Sequence, residues 1–255
     1  MQVPRMSKSE PVVVADPLFG EPPIADAAHR ASSSAPAGSI TPVEDLSHPY
    51  FAPLAGTAQE ARAIKTLFPE ATVLTRERAT KSALARVEAP RILHVATHGF
   101  FQQDAKRAIG NPLLRAGLAL TGANLNPEDS ARNEAGILTA LEASNLNLWG
   151  TKLVTLSACD TGVGEVRNRE GVYGLRRAFF LAGAETLVMS LWPVSDYVTR
   201  ETMTAYYSGL KKGLGRGEAL RQAQLTMLAR GNRQHPFYWA SFIQAGEWAN
   251  LDGRR

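Results

Sequence analysis

Side chains able to do covalent chemistry stand at the ends of two apolar runs. In "RILHVATHGFF" the run from Arg91 to Thr97 breaks at His98 and Gly99, and in "LVTLSACDTG" a second run ends on Cys159, the one cysteine of the chain. A thiol is a nucleophile only as thiolate, and a neighbouring imidazole lowers its pKa from roughly 8.5 into the neutral range. The imidazolium can then protonate a leaving amine. Gly99, and Gly162 within "CDTG", let the backbone come close to a substrate, as an oxyanion site requires. Singly, each residue also reads as structure: a small buried thiol, or a polar ring with its partners. The pairing is what points to nucleophilic catalysis.

Spacing argues against other chemistries. His94 and His98 are four apart, but "ILHVAT" reads as strand and "HVATH" lacks the glutamate of the H-E-x-x-H motif, so no metal is expected. "GVGEVRNREG" has neither the Walker nor the dinucleotide spacing and reads as a mobile loop, so no cofactor is expected. The net charge is only +4, with scattered basic residues and a modest excess after Lys211, which does not favour a nucleic-acid partner. A single cysteine excludes an intrachain disulfide and fits a reducing compartment. The apolar core of the N-terminus is too short for a secretory signal and no segment approaches a membrane span, so the expectation is cytoplasmic with no membrane partner.

The elements that must position these residues alternate. "PVVVADP" (Pro11 to Pro17) reads as a buried strand, and Glu21 to Pro53, rich in Ala, Ser and Pro, as a flexible loop with no chemical role. "GTAQEARAIKTLF" reads as a helix, with Thr57 and Glu60 at capping-box spacing ahead of Ala61, Ile64, Leu67 and Phe68. "ATVLT" and "RILHVAT" read as strands flanking a short helix capped by Thr80. "GLALTGAN" reads as a strand and turn, and "GILTALEAS" as a short helix. "TKLVTLSAC" and "ETLVMSLW" are strands either side of the helix "GVYGLRRAFFLAG"; two further helices follow, the first capped by Ser195, and "HPFYWASF" reads as core packing with His235 as turn punctuation. Repeated strand-then-helix order predicts a mostly parallel sheet, with ligands beyond its carboxyl edge. The length fits one domain, 1–255.

Ordered along nearly the whole chain, "VVVADPLFG", "LAGTAQEA", "ATKSAL", "ILHVATHG", "GILTALE", "LVTLSACDTG", "GVYGLRRAFFLAGA", "LVMSLWPVSD" and "HPFYWASF" resemble the CHAT domain, a bacterial branch of the caspase and separase superfamily of cysteine peptidases. The resemblance implies a caspase-like three-layer α/β/α fold. It implies His98 and Cys159 as a catalytic dyad, and the backbone N–H groups of Gly99 and Cys159 as the oxyanion site, with no third side chain named. The 61-residue interval from His98 to Cys159 is compatible with the roughly 50 residues of caspases. It further implies a protein substrate extended along "SLWPVSD" by strand addition, through Ser190, Leu191, Trp192 and Asp196. Relatives that cleave after Arg or Lys often carry an acid two positions before the nucleophile. Here that position is Ser157, which leaves Asp160, Asp196 and Glu134 as acids that could contribute. Such domains commonly follow tetratricopeptide repeats, so an activating protein partner or repeat region is expected, and the chain is read as a short form or an excised domain. The alternatives are a catalytically silent scaffold on the same fold, which binds a protein partner, and a thiol-dependent hydrolase of a small acyl substrate.

Overall fold

The computed structural model describes residues 5–21, 50–101, 111–125, 136–157, 170–192, 195–231 and 233–254. Its elements run β1 (Val12–Pro17), α1 (Ala55–Leu67), β2 (Thr72–Arg76), α2 (Lys81–Ala85), β3 (Ile92–Ala96), β4 (Gly99–Phe101), β5 (Ala116–Ala119), β6 (Ile137–Thr139) and α3 (Ala140–Ala143). Then come β7 (Leu153–Leu156), α4 (Glu170–Leu181), β8 (Thr186–Ser190), α5 (Asp196–Lys211), α6 (Arg216–Leu228), α7 (Pro236–Trp239) and β9 (Phe242–Gly246).

Alternate residues of one strand enter different cores. Val12 and Val14 pack with Leu93, Val95, Val154 and Leu156 against Leu84 of α2, Ala140 and Ala143 of α3, and Leu175, Ala178 and Phe179 of α4. Val13 and Ala15 pack with Ile92, Ala96, Leu153 and Val188 against Ala61 and Ile64 of α1, Met203, Tyr206 and Tyr207 of α5, and Ala219, Leu220 and Ala223 of α6. Runs that are apolar on both faces are what a sheet covered on both sides requires. The result is the three-layer α/β/α arrangement, with sheet order β2-β1-β3-β7-β8-β9. All neighbours are parallel except β9, which runs antiparallel to β8. The chain goes outward from β1 to β2 and then returns to β3 on the other side of β1, so the topological switch falls between β1 and β3.

A second, antiparallel sheet, β4-β5-β6, grows directly from the chain beyond β3. Only part of it follows from the apolar pattern, because three-residue strands carry too few alternations to be distinctive. "GILTALEAS", expected as a helix, divides into β6 and α3 at Thr139, whose side chain forms a capping box with Glu142. Thr80 caps α2 as expected, accepting from the Ala83 N–H at 3.1 Å. Ser195 precedes α5 without a capping side-chain hydrogen bond. "HPFYWASF" is not all core: α7 has no buried residue and Phe237 is exposed. The 21–53 stretch falls outside the described residues from 22 to 49, and the loop after Cys159 lies outside them as well.

Two adjacent tyrosines on α5 test the polar side of this core. The Tyr207 hydroxyl donates to Thr155 Oγ1 at 2.9 Å, whereas the buried Tyr206 hydroxyl has no hydrogen-bond partner among the described residues. Tyr206→Phe should therefore change stability by less than about 1 kcal/mol, while Tyr207→Phe should cost about 1–3 kcal/mol by orphaning Thr155. Burial pushes both phenols above their usual value. A raised folded pKa contributes stability below the unfolded pKa and loses it as pH rises past about 10. Stability should thus fall above that pH, and Tyr206→Phe should flatten the slope by about one proton, ~1.4 kcal/mol per pH unit. Urea midpoints across pH 8–11 would check both; an unchanged slope would refute the assignment.

Candidate active site

His98 lies two residues beyond β3, at the carboxyl edge and beside the switch point. Its backbone is held from the second sheet: the Ala119 N–H donates to the His98 carbonyl at 2.9 Å, and the Thr97 hydroxyl donates to the Ala119 carbonyl. The ring is 2% exposed and packs between Phe19, at 5.3 Å between centroids, and Phe51, at 5.8 Å. Phe19 reaches it because β1 ends irregularly. Asp16 takes φ +49°, its N–H donates to Thr57 Oγ1 at 3.0 Å, and the register with β2 shifts between Ala15 and Pro17.

Nε2 of His98 lies 2.7 Å from the carbonyl oxygen of Ala52. A carbonyl only accepts, so Nε2 carries the proton and Nδ1 is the basic nitrogen of the neutral ring. The same carbonyl also stabilises the imidazolium when Nδ1 gains a proton. Ala52 lies in the stretch expected to be without a chemical role; its backbone enters the site, a contribution that no side-chain motif could announce.

Asn124 holds the residue before that carbonyl, Phe51. Its Oδ1 accepts from the Phe51 N–H at 2.9 Å, and its Nδ2 donates to the carbonyls of Phe51 and Gly20, both at 2.9 Å. Asn124→Ala should cost about 1–3 kcal/mol, because buried backbone groups lose their partner. It should also mix the His98 tautomers. Imidazole nitrogen NMR shifts would show a single Nε2–H form in the native protein and an averaged pair in the variant; a native spectrum would mean that Ala52 is held by other contacts.

β7 runs parallel to β3 with Val95 beside Leu156, and the Ser157 N–H donates to the Val95 carbonyl at 2.9 Å. The chain leading to Cys159 therefore leaves the sheet next to the chain leading to His98. Cys159 and Asp160 themselves lie outside the described residues. Gly99 opens β4 opposite Leu118. Ser157 is buried and its hydroxyl donates to Glu60 Oε2 at 3.0 Å. Glu60 Oε1 lies 3.1 Å from Nε2 of His94, and neither atom has a hydrogen-bond partner among the described residues. The capping-box reading of Thr57 and Glu60 is thereby corrected. The helix begins at Ala55, Thr57 donates to the Leu54 carbonyl at 2.9 Å, and Glu60 turns into the sheet. The signal was present in the sequence, since Glu60 shares a helical face with Ala61 and Ile64.

On β8, Ser190 pairs with Phe242, its hydroxyl donates to the Trp192 carbonyl at 2.7 Å, and the Leu191 N–H donates to the Ser241 carbonyl at 2.8 Å. That Leu191 donor is occupied by the chain entering β9, and β8 is flanked by β7 and β9 in the sheet. Trp192 Nε1 donates to the Phe237 carbonyl at 3.0 Å. Asp196, at the start of α5, accepts from the Gly56 N–H at 2.8 Å and so ties α5 to α1. Thus His98, Ser157, Ser190, Leu191, Trp192 and Asp196 share the carboxyl edge of the sheet, Glu60 and His94 lie just beneath it, and Ala52 and Asn124 join it unannounced. Among the described residues no helix is long and apolar enough to cross a membrane.

Comparison with known proteins agrees with this layout. The family model described as the CHAT domain matches residues 2–247. Tetratricopeptide repeat protein 28 from Homo sapiens, and likewise that from Mus musculus, is 34% identical over 116 residues, covering 46% of this chain and 5% of the relative. The chain thus spans a small fraction of these curated relatives. Among solved structures, a pyridoxal kinase from Staphylococcus aureus in complex with AMP-PCP overlays with a TM-score of 0.33 and 11% identity, over 94% of this chain and 99% of that one, which carries no argument.

Proposed function

The chain belongs to the CHAT domain family, and from that premise we propose that it is a cysteine endopeptidase working through Cys159 and His98. The observation that carries the reading is the Nε2–Ala52 hydrogen bond, which leaves Nδ1 of His98 as the base at the rim of β3, beside the strand that continues to Cys159. In the proposed sequence Nδ1 takes the thiol proton and the thiolate adds to the scissile carbonyl. Backbone N–H groups of Gly99 and Cys159 hold the developing oxyanion. Collapse expels the amine, which takes the proton from His98, and water then hydrolyses the thioester. The imidazolium is tolerated in its aromatic enclosure because the Ala52 carbonyl accepts from it. The substrate is a protein, met as an extended segment near Ser157, Asp160, Ser190, Leu191, Trp192 and Asp196. A repeat-bearing region or separate protein supplies activation, and the compartment is a reducing cytosol.

Iodoacetamide tests this without a known substrate, since Cys159 is the one thiol. In the native protein alkylation should persist well below the free-thiol pKa of roughly 8.5, and His98→Ala should move the midpoint upward. Identical profiles would leave the silent-scaffold reading, for which the resemblance to a tetratricopeptide repeat protein speaks.

A further inference from the structure

We propose that Glu60 is a positioning residue for the dyad: from α1, its carboxylate braces the two strands that lead to His98 and Cys159. The proposal rests on the peptidase reading above. Glu60 is 3% exposed, and its two oxygens point at different strands. Oε2 accepts from Ser157, two residues before Cys159; Oε1 lies against Nε2 of His94, four residues before His98. Tyr207 makes a second tie between the same strands. Its hydroxyl donates to Thr155 Oγ1 and lies 2.9 Å from Nδ1 of His94, and His94 and Thr155 are register partners. Glu60, His94, Tyr207, Thr155 and Ser157 thus form a polar ring beneath the rim, within an otherwise apolar helix–sheet interface.

Helix packing does not require a carboxylate there. Ala61 and Ile64 already fill the interface, and burying a charge is unfavourable unless it is paired and hydrogen-bonded. What a carboxylate supplies, and no apolar side chain can, is two rigidly linked acceptors reaching two strands at once. Oε2 accepts from Ser157 and Oε1 lies 3.1 Å from Nε2 of His94 without a hydrogen bond, so the carboxylate faces the ring rather than a substrate. A displacement of about 1 Å in a reacting group is enough to cost on the order of a hundredfold in rate, so the separation of β3 and β7 just below the dyad is the quantity worth fixing.

The test uses the full chain and iodoacetamide as probe of Cys159, with urea midpoints recorded in parallel. Glu60→Ala should slow alkylation near pH 6.5 by about tenfold or more and raise its pH midpoint. Glu60→Gln keeps an acceptor for Ser157 and offers an N–H towards His94, so it should stay within about threefold of native. In a His98→Ala background Glu60→Ala should add nothing, because its effect passes through the dyad. A folded Glu60→Ala protein with the native pH profile, or an effect undiminished without His98, would overturn the proposal. Should Glu60→Ala fail to fold, Ser157→Ala removes one hydroxyl from the ring, and a native midpoint there would overturn it equally. Identical profiles in native and His98→Ala protein would be a different failure, removing the dyad and the brace with it.

Discussion

Cys159→Ala should lower cleavage of a protein substrate by about four orders of magnitude or more, and His98→Ala by a similar factor, because removing either member of a nucleophile–base pair disables the unit. The double variant should be hardly worse than either single one. The protein should remain folded. Cys159→Ala removes a single sulfur atom, and His98→Ala leaves the main-chain links of residue 98 to Ala119 and the ring contact between Phe19 and Phe51, 6.0 Å between centroids. Unfolding midpoints within about 1–2 kcal/mol of native would separate lost chemistry from lost structure. His98→Ala also leaves the Ala52 carbonyl without its ring donor, so of the two variants it should be the less stable. Equal cleavage by purified native and Cys159→Ala protein would end the peptidase reading, and additive losses in the double variant would mean that the two residues do not act together.

The place of His98 at the carboxyl edge was legible because the apolar run ahead of it ends abruptly, and such strand ends are where an α/β sheet exposes side chains. The central sheet was legible for the same reason. Val12 to Ala15 and Leu153 to Leu156 are buried on both faces, and their runs are apolar except at Thr155. What stayed hidden is contributed by backbone or by context. Ala52 acts through its carbonyl, which every residue carries. Asn124 sits in "LTGAN", where an asparagine ordinarily reads as turn chemistry, yet its side chain completes the main-chain hydrogen bonding of Phe51. Glu60 satisfied a local capping pattern, and a local pattern cannot reveal that the helix starts earlier and turns the carboxylate inward. The aromatic stretch after His235 misled in the opposite sense. Its composition suits a core, but Pro236 opens a four-residue helix on the surface, where Trp192 reaches the Phe237 carbonyl.

Arg216 was equally hidden, as one more basic residue after Lys211, and its loss should have the largest effect on stability. The side chain is fully buried at the amino edge of the sheet, opposite the site. Nε donates to the Ala249 carbonyl at 2.8 Å, Nη1 to the Lys152 carbonyl at 2.6 Å and to Thr186 Oγ1 at 2.8 Å, and Nη2 to the Asn250 carbonyl at 3.2 Å. One planar fork thereby ties the start of α6 to the entrances of β7 and β8 and to the chain beyond β9. Glu185 lies 3.5 Å away and is shared with Lys152, which contacts it at 2.7 Å, so the charge is compensated without a dedicated partner. Arg216→Ala would strip donors from three carbonyls and a hydroxyl and leave a cavity, at a cost of about 3–5 kcal/mol, a large share of the 5–15 kcal/mol typical of a whole domain. Arg216→Lys restores the charge but not the fork, and should recover less than half of the loss. Denaturant midpoints at constant m-value would measure both. Under conditions where the variants stay folded, the alkylation profile of Cys159 should be native, because among the described residues no side-chain network links the two ends of the strands. A loss below about 1 kcal/mol in Arg216→Ala would mean that water or a repacked C-terminal segment satisfies these carbonyls. A shifted alkylation profile in the folded Lys variant would mean that the sheet transmits strain from one edge to the other.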